Sequence, residues 1–258
     1  MKMNELDNVK PILKWVGGKR QLLPELRKYY SNLDFNKYIE PFFGGGSVYL
    51  DIIKIHGIQK KEKSIINDIN SDLINLLVDV KHDPKKIINN TNKLKSIYDK
   101  EGYYFIRNHY NGEDRITKEP VTKYKGINRS SSLILLNKTC FNGLYRINKR
   151  GLFNVPKGSM KNPTIIDEDN FLRFSNLLPK TENIRNNEYS SIKEISPKDL
   201  VYFDPPYHPL NTTSSFTKYS SEFNEKEQIE LFEYFKKLDD KGVYVILSNS
   251  SSNFIKEL

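Results

Sequence analysis

The sequence has 258 residues, 37% hydrophobic and 28% charged, which is enough to bury one sizeable core and a modest second lobe. No apolar run approaches the roughly 18 residues that span a bilayer, and the polar N-terminus lacks the apolar segment of a secretory signal. The single cysteine excludes an internal disulfide and a multi-cysteine metal site, so we expect a reduced, cytoplasmic protein without a bound metal.

Positive charge is concentrated in one internal segment. The net charge is +9, yet residues 81–162 hold 18 Lys and Arg against 6 Asp and Glu, while the remainder holds 23 against 26. A polyanionic partner explains such a cluster. A solvated lysine-rich face in a chain with a general Lys, Asn and Ile bias explains it equally well. Composition alone leaves both explanations open.

Both ends of the chain alternate short apolar runs with amphipathic stretches, as is typical of an α/β sheet. We expect mostly parallel strands at Lys37–Phe43, Ser64–Ile69, Leu200–Asp204 and Val243–Ser248. We expect helices at Lys19–Tyr30, Ser47–His56, Ser71–Val80 and Glu225–Leu238, with N-caps at Ser47 and Ser71 and stops at Gly57 and Gly242. This order favours a sheet that binds a nucleotide or cofactor.

The middle of the chain has a different pattern. It is helical from about Asp83 to Tyr110 and again at Ile127–Leu136, and Asn142–Pro156 has the pattern of a hairpin with its turn at Gly151. We therefore expect a catalytic domain formed by residues 1–80 and 163–258, with a basic insertion at residues 81–162.

The first motif that can take part in binding or catalysis is KWVGGKR, at Lys14–Arg20. Its GGK resembles part of a phosphate-binding loop, but the GxxxxGK[ST] spacing is absent and no strand precedes it. Lys19 would suit the free carboxylate of a bound cofactor, with Trp15, the only tryptophan, packed against it. An anchoring Trp and a surface Lys explain this segment equally well.

The second motif is EPFFGGGS, at Glu40–Ser47, which runs from a strand through a triple-glycine turn into a helix. Glycines let the backbone approach a bound molecule closely, and a helix N-terminus favours a negative group. Asp68 lies 22 residues beyond Gly46, at the end of the next strand, where a carboxylate can accept both ribose hydroxyls. The glycine spacing differs from GxGxxG, which argues against a dinucleotide.

The third motif is DPPY, Asp204–Tyr207, directly after a predicted strand. Ligands of open α/β sheets bind beyond the carboxyl ends of strands. Consecutive prolines fix φ and remove backbone donors, which leaves carbonyls without local partners. The Asp204 carboxylate and the Pro205 carbonyl can therefore accept hydrogen bonds from the two N–H groups of an extruded amino group. The Tyr207 ring offers a flat face on which the extruded base can stack. A Pro-Pro turn with a structural Asp is the non-catalytic alternative.

These motifs occur in the order found in the Dam-type, DpnII-like DNA adenine-N6 methyltransferases, which the chain resembles over nearly its whole length. The segments that carry the resemblance are KWVGGK, EPFFGGGS, NDINSDLI, NKTCFNGLYRINKRGLFNVP, YFDPPY with HPLNTTSSFTKY, and VILSNS. The resemblance implies an α/β fold, the Rossmann-like class I S-adenosylmethionine-dependent methyltransferase sheet, with a helical and hairpin DNA-recognition domain inserted before DPPY. It also implies methyl transfer from S-adenosylmethionine to adenine N6, typically in GATC and after base flipping, without a metal.

The resemblance assigns roles to individual residues of this sequence. The catalytic residues are Asp204, Pro205, Pro206 and Tyr207. The cofactor-binding residues are Trp15, Lys19, Glu40, Phe43, Gly44, Gly45, Gly46, Asp68, Tyr189 and Asp204. The DNA-binding residues are Lys14 and Arg146 facing guanines, Leu144 and Pro156 at thymine, Phe141 as a wedge beside Asn142, and Lys138, Asn148, Asn154 and Lys161 at phosphates.

Two features depart from the family pattern. Lys157–Pro163 reads KGSMKNP where many relatives have FGRYKKP, so the contacts of that Arg and Tyr do not carry over. The chain also stops at Leu258, before relatives end, which predicts an uncovered apolar sheet edge at Val243–Ser248 and a truncated gene or fragment.

The partners that follow are double-stranded DNA and, where a restriction–modification system is involved, a cognate restriction endonuclease. Two rival functions stay open. One is a methyltransferase for cytosine N4, RNA or protein glutamine, in which Ser or Asn tends to replace Asp204. The other is a weakly active or inactive DNA-binding relative.

Overall fold

The computed structural model describes residues 8–210 and 223–258. Residues 1–7 and 211–222 lie outside that range, and with them most of the polar N-terminus and of the HPLNTTSSFTKY segment. The described strands form one parallel sheet. They are β1 Tyr38–Glu40, β2 Ile65–Asn67, β3 Ile184–Arg185, β4 Leu200–Phe203 and β5 Tyr244–Leu247.

Helices connect these strands and form the middle of the chain. The described ones are α1 Leu23–Tyr30, α2 Ser47–His56, α3 Ser71–His82, α4 Pro84–Glu101, α5 Tyr103–Asn111, α6 Gly126–Thr139, α7 Glu168–Leu177, α8 Glu225–Asp239 and α9 Asn253–Glu257. Within residues 8–210 and 223–258, no helix is long and apolar enough to cross a membrane.

The strand order β3-β2-β1-β4-β5 reverses at β1. The chain builds outward from β1 through β2 to β3, and then returns to place β4 on the other side of β1, where Ile39 pairs with Val201. Every residue of β1, β2 and β4 is buried, as expected for parallel strands covered on both faces. In an open α/β sheet the crevice at such a reversal is where ligands bind.

The four predicted strands are confirmed, each with shorter bounds than the pattern suggested. β3 was not predicted, because two residues carry no readable periodicity. β5 lies at one edge of the described sheet, and each of its four residues is partly exposed.

The predicted helices are also confirmed, except that Lys19–Gln21 forms a 3₁₀ turn and α1 begins only at Leu23. Both predicted N-caps were wrong. Ser47 and Ser71 are the first helical residues, and the cap positions are Gly46 and Asn70. Asn70 is better placed, because its side chain accepts a hydrogen bond from the backbone N–H of Leu73 at 3.1 Å. The predicted helical stretch after Asp83 divides into α4 and α5, and α7 was not predicted.

The expected buried helix of the insertion is α6. Its residues from Ser130 to Asn137 are all buried, and it packs against α3, α4 and α5. One hydrophobic cluster runs from sheet residues such as Tyr38 through Ile134 of α6 to Phe153 of the hairpin. The hairpin is therefore anchored to the sheet by continuous apolar packing.

Candidate active site

Asp204 lies at the carboxyl end of β4, beside the reversal in strand order. Its Oδ2 is 2.6 Å from Nζ of Lys19, while its Oδ1 is buried and has no hydrogen-bond partner among the described residues. Buried polar atoms in native proteins are nearly always paired, so an unpaired carboxylate oxygen in this crevice indicates a ligand site. Burial raises the pKa of Asp204 to about 6, and the neighbouring Lys19 ammonium and Tyr207 hydroxyl oppose that rise.

Lys19 connects the first motif to the third. Its side chain is only 7% exposed, and its Nζ also donates to the carbonyl of Gly17 at 2.5 Å. The same Nζ lies 4.8 Å from the centroid of the Tyr207 ring. The predicted cofactor lysine is thus held between the carboxylate and the aromatic ring of DPPY, where its charge can pair with an incoming carboxylate.

The two prolines of DPPY differ in their hydrogen bonding. The carbonyl of Pro206 accepts a bond from Nε2 of Gln228 at 2.9 Å. Within the described residues no hydrogen bond reaches the carbonyl of Pro205. Tyr207 is 37% exposed, so its ring is accessible to a stacking partner. A free carbonyl, a free carboxylate oxygen and an accessible ring therefore lie within four consecutive residues.

The glycine turn and Asp68 form one hydrogen-bonded unit. The backbone N–H of Gly44 donates to Asp68 Oδ2 at 2.8 Å, and that of Asn70 donates to Oδ1 at 2.9 Å. Burial raises the pKa of Asp68, and these two N–H groups oppose the rise. Each carboxylate oxygen keeps acceptor capacity beyond its one bond, so the pair can still receive two hydroxyl groups.

Two aromatic rings explain why the turn requires glycine. Gly44 and Gly46 have φ of +50° and +71°. A Cβ on Gly46 would lie 2.3 Å from Cζ of Phe43, and one on Gly44 would lie 2.9 Å from Cδ1 of Trp15. Phe43 is only 3% exposed, so it supports the turn from within the core, while Trp15 packs on the turn from the first motif. Gly45 also lies close to Trp15.

Two further predicted cofactor residues lie in this part of the sheet. Glu40 ends β1, is 2% exposed and accepts a hydrogen bond from the Tyr38 hydroxyl at 2.8 Å. Burial raises the pKa of Glu40 well above its usual range, and the Asp204 charge adds to the rise. Tyr189 packs its ring 5.3 Å from that of Phe42, just before the glycine turn.

The middle segment contains the predicted hairpin. Ile147 pairs with Phe153 and Cys140 with Lys157, both antiparallel. Gly151 forms the turn with φ of +72°. Asn148 has a structural part here, because its Oδ1 accepts the backbone N–H groups of Arg150 at 2.9 Å and Leu152 at 3.1 Å. The hairpin prediction is confirmed.

The exposed side of this segment carries most of the predicted DNA contacts. Phe141 is 50% exposed, and Arg146 is exposed with its Nε bonded to Asn154 Oδ1 at 2.7 Å. The remaining members are exposed Asn142, Pro156 and Lys161, and half-buried Leu144 and Lys138. Burial and the charge of Lys14 lower the pKa of Lys138. Asn154 therefore orients the guanidinium that is predicted to face guanine.

Lys14 is held beside the hairpin by a residue that the sequence did not single out. Buried Asn137 of α6 accepts from the Lys14 backbone N–H at 2.8 Å and donates to its carbonyl at 2.8 Å and to that of Gly143 at 2.9 Å. The signal was present in the sequence, because Asn137 is a polar residue at the end of the apolar run Leu133–Leu136.

A second missed residue links the KWVGGKR segment to the hairpin. The ring of Tyr145 stacks on Trp15, with centroids 5.6 Å apart and an interplanar angle of 20°. Its hydroxyl donates to Asp72 at 3.0 Å, and Asp72 pairs with Arg129 at the start of α6. No local sequence pattern predicts this contact, because it depends on tertiary packing.

Comparisons with known proteins agree with this geometry. Residues 15–258 match the family model described as D12 class N6 adenine-specific DNA methyltransferase. The chain is 41% identical to the type II methyltransferase M.MjaIII of Methanocaldococcus jannaschii, over 94% of this chain and 84% of that protein. It is 38% identical to the type II methyltransferase M1.LlaDCHI of Lactococcus lactis subsp. cremoris, over 97% and 84%. It is 30% identical to the DNA adenine methylase of Vibrio cholerae, over 95% and 83%.

Proposed function

The chain belongs to the D12 class of N6 adenine-specific DNA methyltransferases, and from this premise we propose that it methylates adenine in GATC after flipping the base out of the duplex, with S-adenosylmethionine as methyl donor. The observation that carries the proposal is the buried Oδ1 of Asp204 at the strand reversal, which has no hydrogen-bond partner in the described part of the chain. This acceptor is available to a donor from a bound molecule, and the exocyclic amine of adenine is such a donor.

The residues around the glycine turn fit S-adenosylmethionine. Asp68 retains acceptor capacity for two ribose hydroxyls, and the backbone of Gly44–Gly46 allows close approach. Lys19 is a buried cation for the carboxylate of the amino acid portion. When bound, this cofactor supplies an electrophilic methyl group on a sulfonium centre.

DPPY then orients the target amine. Asp204 Oδ1 and the Pro205 carbonyl each accept a hydrogen bond from one of the two N6–H groups. These bonds draw the nitrogen lone pair out of conjugation with the ring. Tyr207 stacks on the extruded base and contributes about 1–3 kcal/mol. This offsets part of the few kcal/mol that unpairing and unstacking cost. Catalysis is then mainly positioning and stabilisation of the positive charge that develops on N6.

Residues 81–162 act in this proposal as the target-recognition domain. Their excess of Lys and Arg attracts the phosphate backbone, and the exposed hairpin places Arg146 for a bidentate contact with guanine. Phe141, half exposed beside the hairpin, is the proposed wedge in the base stack. The name DNA adenine methylase, carried by the relative from Vibrio cholerae, supports this choice of substrate.

One experiment tests both the reaction and the site. The protein is incubated with methyl-labelled S-adenosylmethionine and duplexes that contain GATC or single-base variants of it, and the nucleosides are then identified by mass spectrometry. We expect N6-methyladenine in GATC duplexes only. N4-methylcytosine, or equal methylation of all duplexes, would contradict the proposal. When 2-aminopurine replaces the target adenine, binding of the protein should raise the fluorescence of the 2-aminopurine if that base is flipped out of the stack.

A cellular role in restriction–modification also follows as a proposal. Two relatives are named type II methyltransferases, which favours a cognate restriction endonuclease as partner. Expression of the chain should then protect cellular DNA from an endonuclease of the same specificity. DNA that stays fully sensitive after expression of active enzyme would argue against this role.

A further inference from the structure

A buried amide bridges the loops that follow β4 and β5. Gln228, in the first turns of α8, is 2% exposed. Its Nε2 donates to the Pro206 carbonyl at 2.9 Å, and its Oε1 accepts from Nδ2 of Asn249 at 2.9 Å. Nothing in the proposed chemistry uses either side chain. A buried amide whose two polar atoms both bond to neighbouring loops rigidifies both of those loops.

The direction of these hydrogen bonds is determined from one end. Oδ1 of Asn249 accepts the backbone N–H groups of Ser250 at 2.8 Å and His208 at 3.3 Å. Because two donors occupy that oxygen, the side-chain NH2 group of Asn249 faces Gln228 and must donate to it. Gln228 therefore directs its side-chain oxygen toward Asn249 and its NH2 group toward Pro206. The reverse orientation of either amide would place two donors or two acceptors face to face.

This arrangement constrains the backbone of DPPY at two points. The proline rings fix φ at Pro205 and Pro206, which leaves ψ as the soft torsion of each residue. Gln228 holds the Pro206 carbonyl, and Asn249 holds the N–H of His208, while Asp204 continues directly from β4. The direction of the free Pro205 carbonyl is then determined by its neighbours.

We propose that Gln228, oriented by Asn249, is a positioning residue that holds the DPPY loop in the conformation that accepts the target amine. This inference rests on the proposed function and adds to it a residue that touches neither substrate nor cofactor. It acts through the Pro206 carbonyl. Its loss lowers the rate of transfer more than the affinity for DNA or cofactor, because the misdirected acceptor is Pro205.

Two substitutions at one position separate positioning from simple burial. Gln228→Glu keeps both bonds while its carboxyl is protonated, since the O–H donates to Pro206 and the other oxygen accepts from Asn249. Once ionised, it loses the donor. Gln228→Met has a similar length and makes neither bond at any pH. We expect Gln228→Met to lose about 5- to 100-fold in kcat near neutral pH, the range for lost buried hydrogen bonding. Burial raises the pKa of a carboxyl at this position, so Gln228→Glu should approach that loss only at a pH above the raised pKa.

The decisive readout is the kcat of each variant divided by that of the wild type, as a function of pH. The ratio for Gln228→Glu should rise as the pH falls, while the ratio for Gln228→Met stays flat. Other titratable groups lie near Gln228 and Asn249, namely Asp204, Tyr207, His208 and Glu225, whose Oε1 lies 3.4 Å from His208 Nε2. Division by the wild-type rate removes their shared contribution.

A third variant guards against misfolding, and a fourth provides a matched control. Asn249→Asp keeps the acceptor for His208 but replaces the donor to Gln228, so it should lower kcat as well. Its effect should not add to that of Gln228→Met, since both break one chain of bonds. Gln59→Glu makes the same chemical change at an exposed glutamine whose side chain donates to the His56 carbonyl at the end of α2, and should leave kcat unchanged.

The outcomes are distinct. Thermal unfolding and dissociation constants for DNA and cofactor are measured beside the rates. A flat ratio for Gln228→Glu, or a kcat loss fully explained by lower affinity, would overturn the positioning role while the proposed function stands. A wild-type protein that transfers no methyl to adenine would overturn both, because the positioning role presupposes that transfer.

Discussion

Asp204 has the residue-level property on which the proposed chemistry depends. Its carboxyl is largely buried at the end of β4, with one oxygen paired to Lys19 and the other without a hydrogen-bond partner among residues 8–210 and 223–258. Burial raises its pKa to about 6, well above an ordinary aspartate. Only the ionised form is a pure acceptor for two N–H groups, so transfer should decline as the pH falls through this value.

Lys19→Gln tests this electrostatic arrangement. The Lys19 ammonium favours the ionised form of Asp204, so its removal should raise the pKa of that carboxyl further. The acid limb of kcat, measured at saturating cofactor, should therefore move to higher pH. Lys28→Gln, at an exposed lysine paired with Glu25, should leave the limb in place. If the acid limb of the Lys19→Gln variant stayed in place or moved to lower pH, the assignment of that limb to Asp204 would be contradicted.

Arg146→Lys tests base recognition. Asn154 holds the Arg146 Nε, which leaves the other guanidinium nitrogens for a guanine, and lysine cannot reproduce that planar geometry. We expect the ratio of kcat/KM for GATC over single-base variants to fall about 5- to 100-fold, as one bidentate pair is worth roughly 1–3 kcal/mol. Lys149→Gln, at an exposed neighbour, should weaken all duplexes alike. Unchanged discrimination by Arg146→Lys would assign the reading to another residue.

At the scale of elements, the turn between β1 and α2 depends on rings that pack against it. Gly46 and Gly151 have nearly equal φ of +71° and +72°, so alanine is strained at both. A Cβ at Gly46 would collide with the Phe43 ring at 2.3 Å, whereas a Cβ at Gly151 meets nothing within 4 Å. The two positions therefore separate backbone strain from steric collision.

Gly46→Ala should destabilise the protein more than Gly151→Ala and should also weaken cofactor binding. Gly151→Ala should cost only about 1–2 kcal/mol of backbone strain. Gly46→Ala should add the cost of displacing a buried aromatic ring, about 1–3 kcal/mol more. Urea unfolding and calorimetric titration with cofactor measure the two effects. Equal losses for both variants, with cofactor affinity intact, would show that the turn tolerates a side chain.

Periodic patterns predicted most elements, whereas contacts between elements were not predictable. β1, β2, β4 and β5 were foreseen, because continuous apolar runs are typical of strands buried on both faces. β3 was missed because two residues show no period, and the cap of α3 was misplaced by one residue onto Ser71. The stacking of Tyr145 on Trp15 depends on how the hairpin docks, which no local pattern records.

The candidate site was also predictable only in part: its strand-end residues could be predicted from the sequence, and its supporting residues could not. The sequence placed Asp68, Asp204 and the glycine turn at strand ends, and the structure brings all three to one edge of the sheet. The carboxyl ends of neighbouring parallel strands must meet there. The sequence could not foresee the supporting amides Asn137 and Gln228, because their partners lie far away in the chain.

At the scale of the whole molecule, charge and shape are divided between two parts of the chain. The sheet holds the candidate active site at its strand reversal, while the excess of Lys and Arg lies in residues 81–162. The hairpin carries exposed cationic groups, and one apolar cluster joins it to the sheet. In the proposed function, DNA held by residues 81–162 presents a base to the candidate active site.

This division predicts a strong dependence of DNA affinity on salt. The logarithm of the association constant should fall linearly with that of the salt concentration, because each phosphate contact releases counterions. Lys149→Gln should reduce the slope by about 1, whereas Lys28→Gln, on the sheet side, should not change it. Fluorescence anisotropy with labelled duplex gives both slopes. A flat salt profile for the wild type would exclude the insertion as the phosphate-binding surface.

The most direct test of the account is single-turnover methyl transfer by Asp204→Ala, with DNA and cofactor affinities measured on the same preparation. The unpaired oxygen of Asp204 is proposed to hold the target amine, so the account predicts loss of N6-methyladenine formation while duplex binding remains within a few-fold of the wild type. Methyl transfer by Asp204→Ala at the wild-type rate would contradict it.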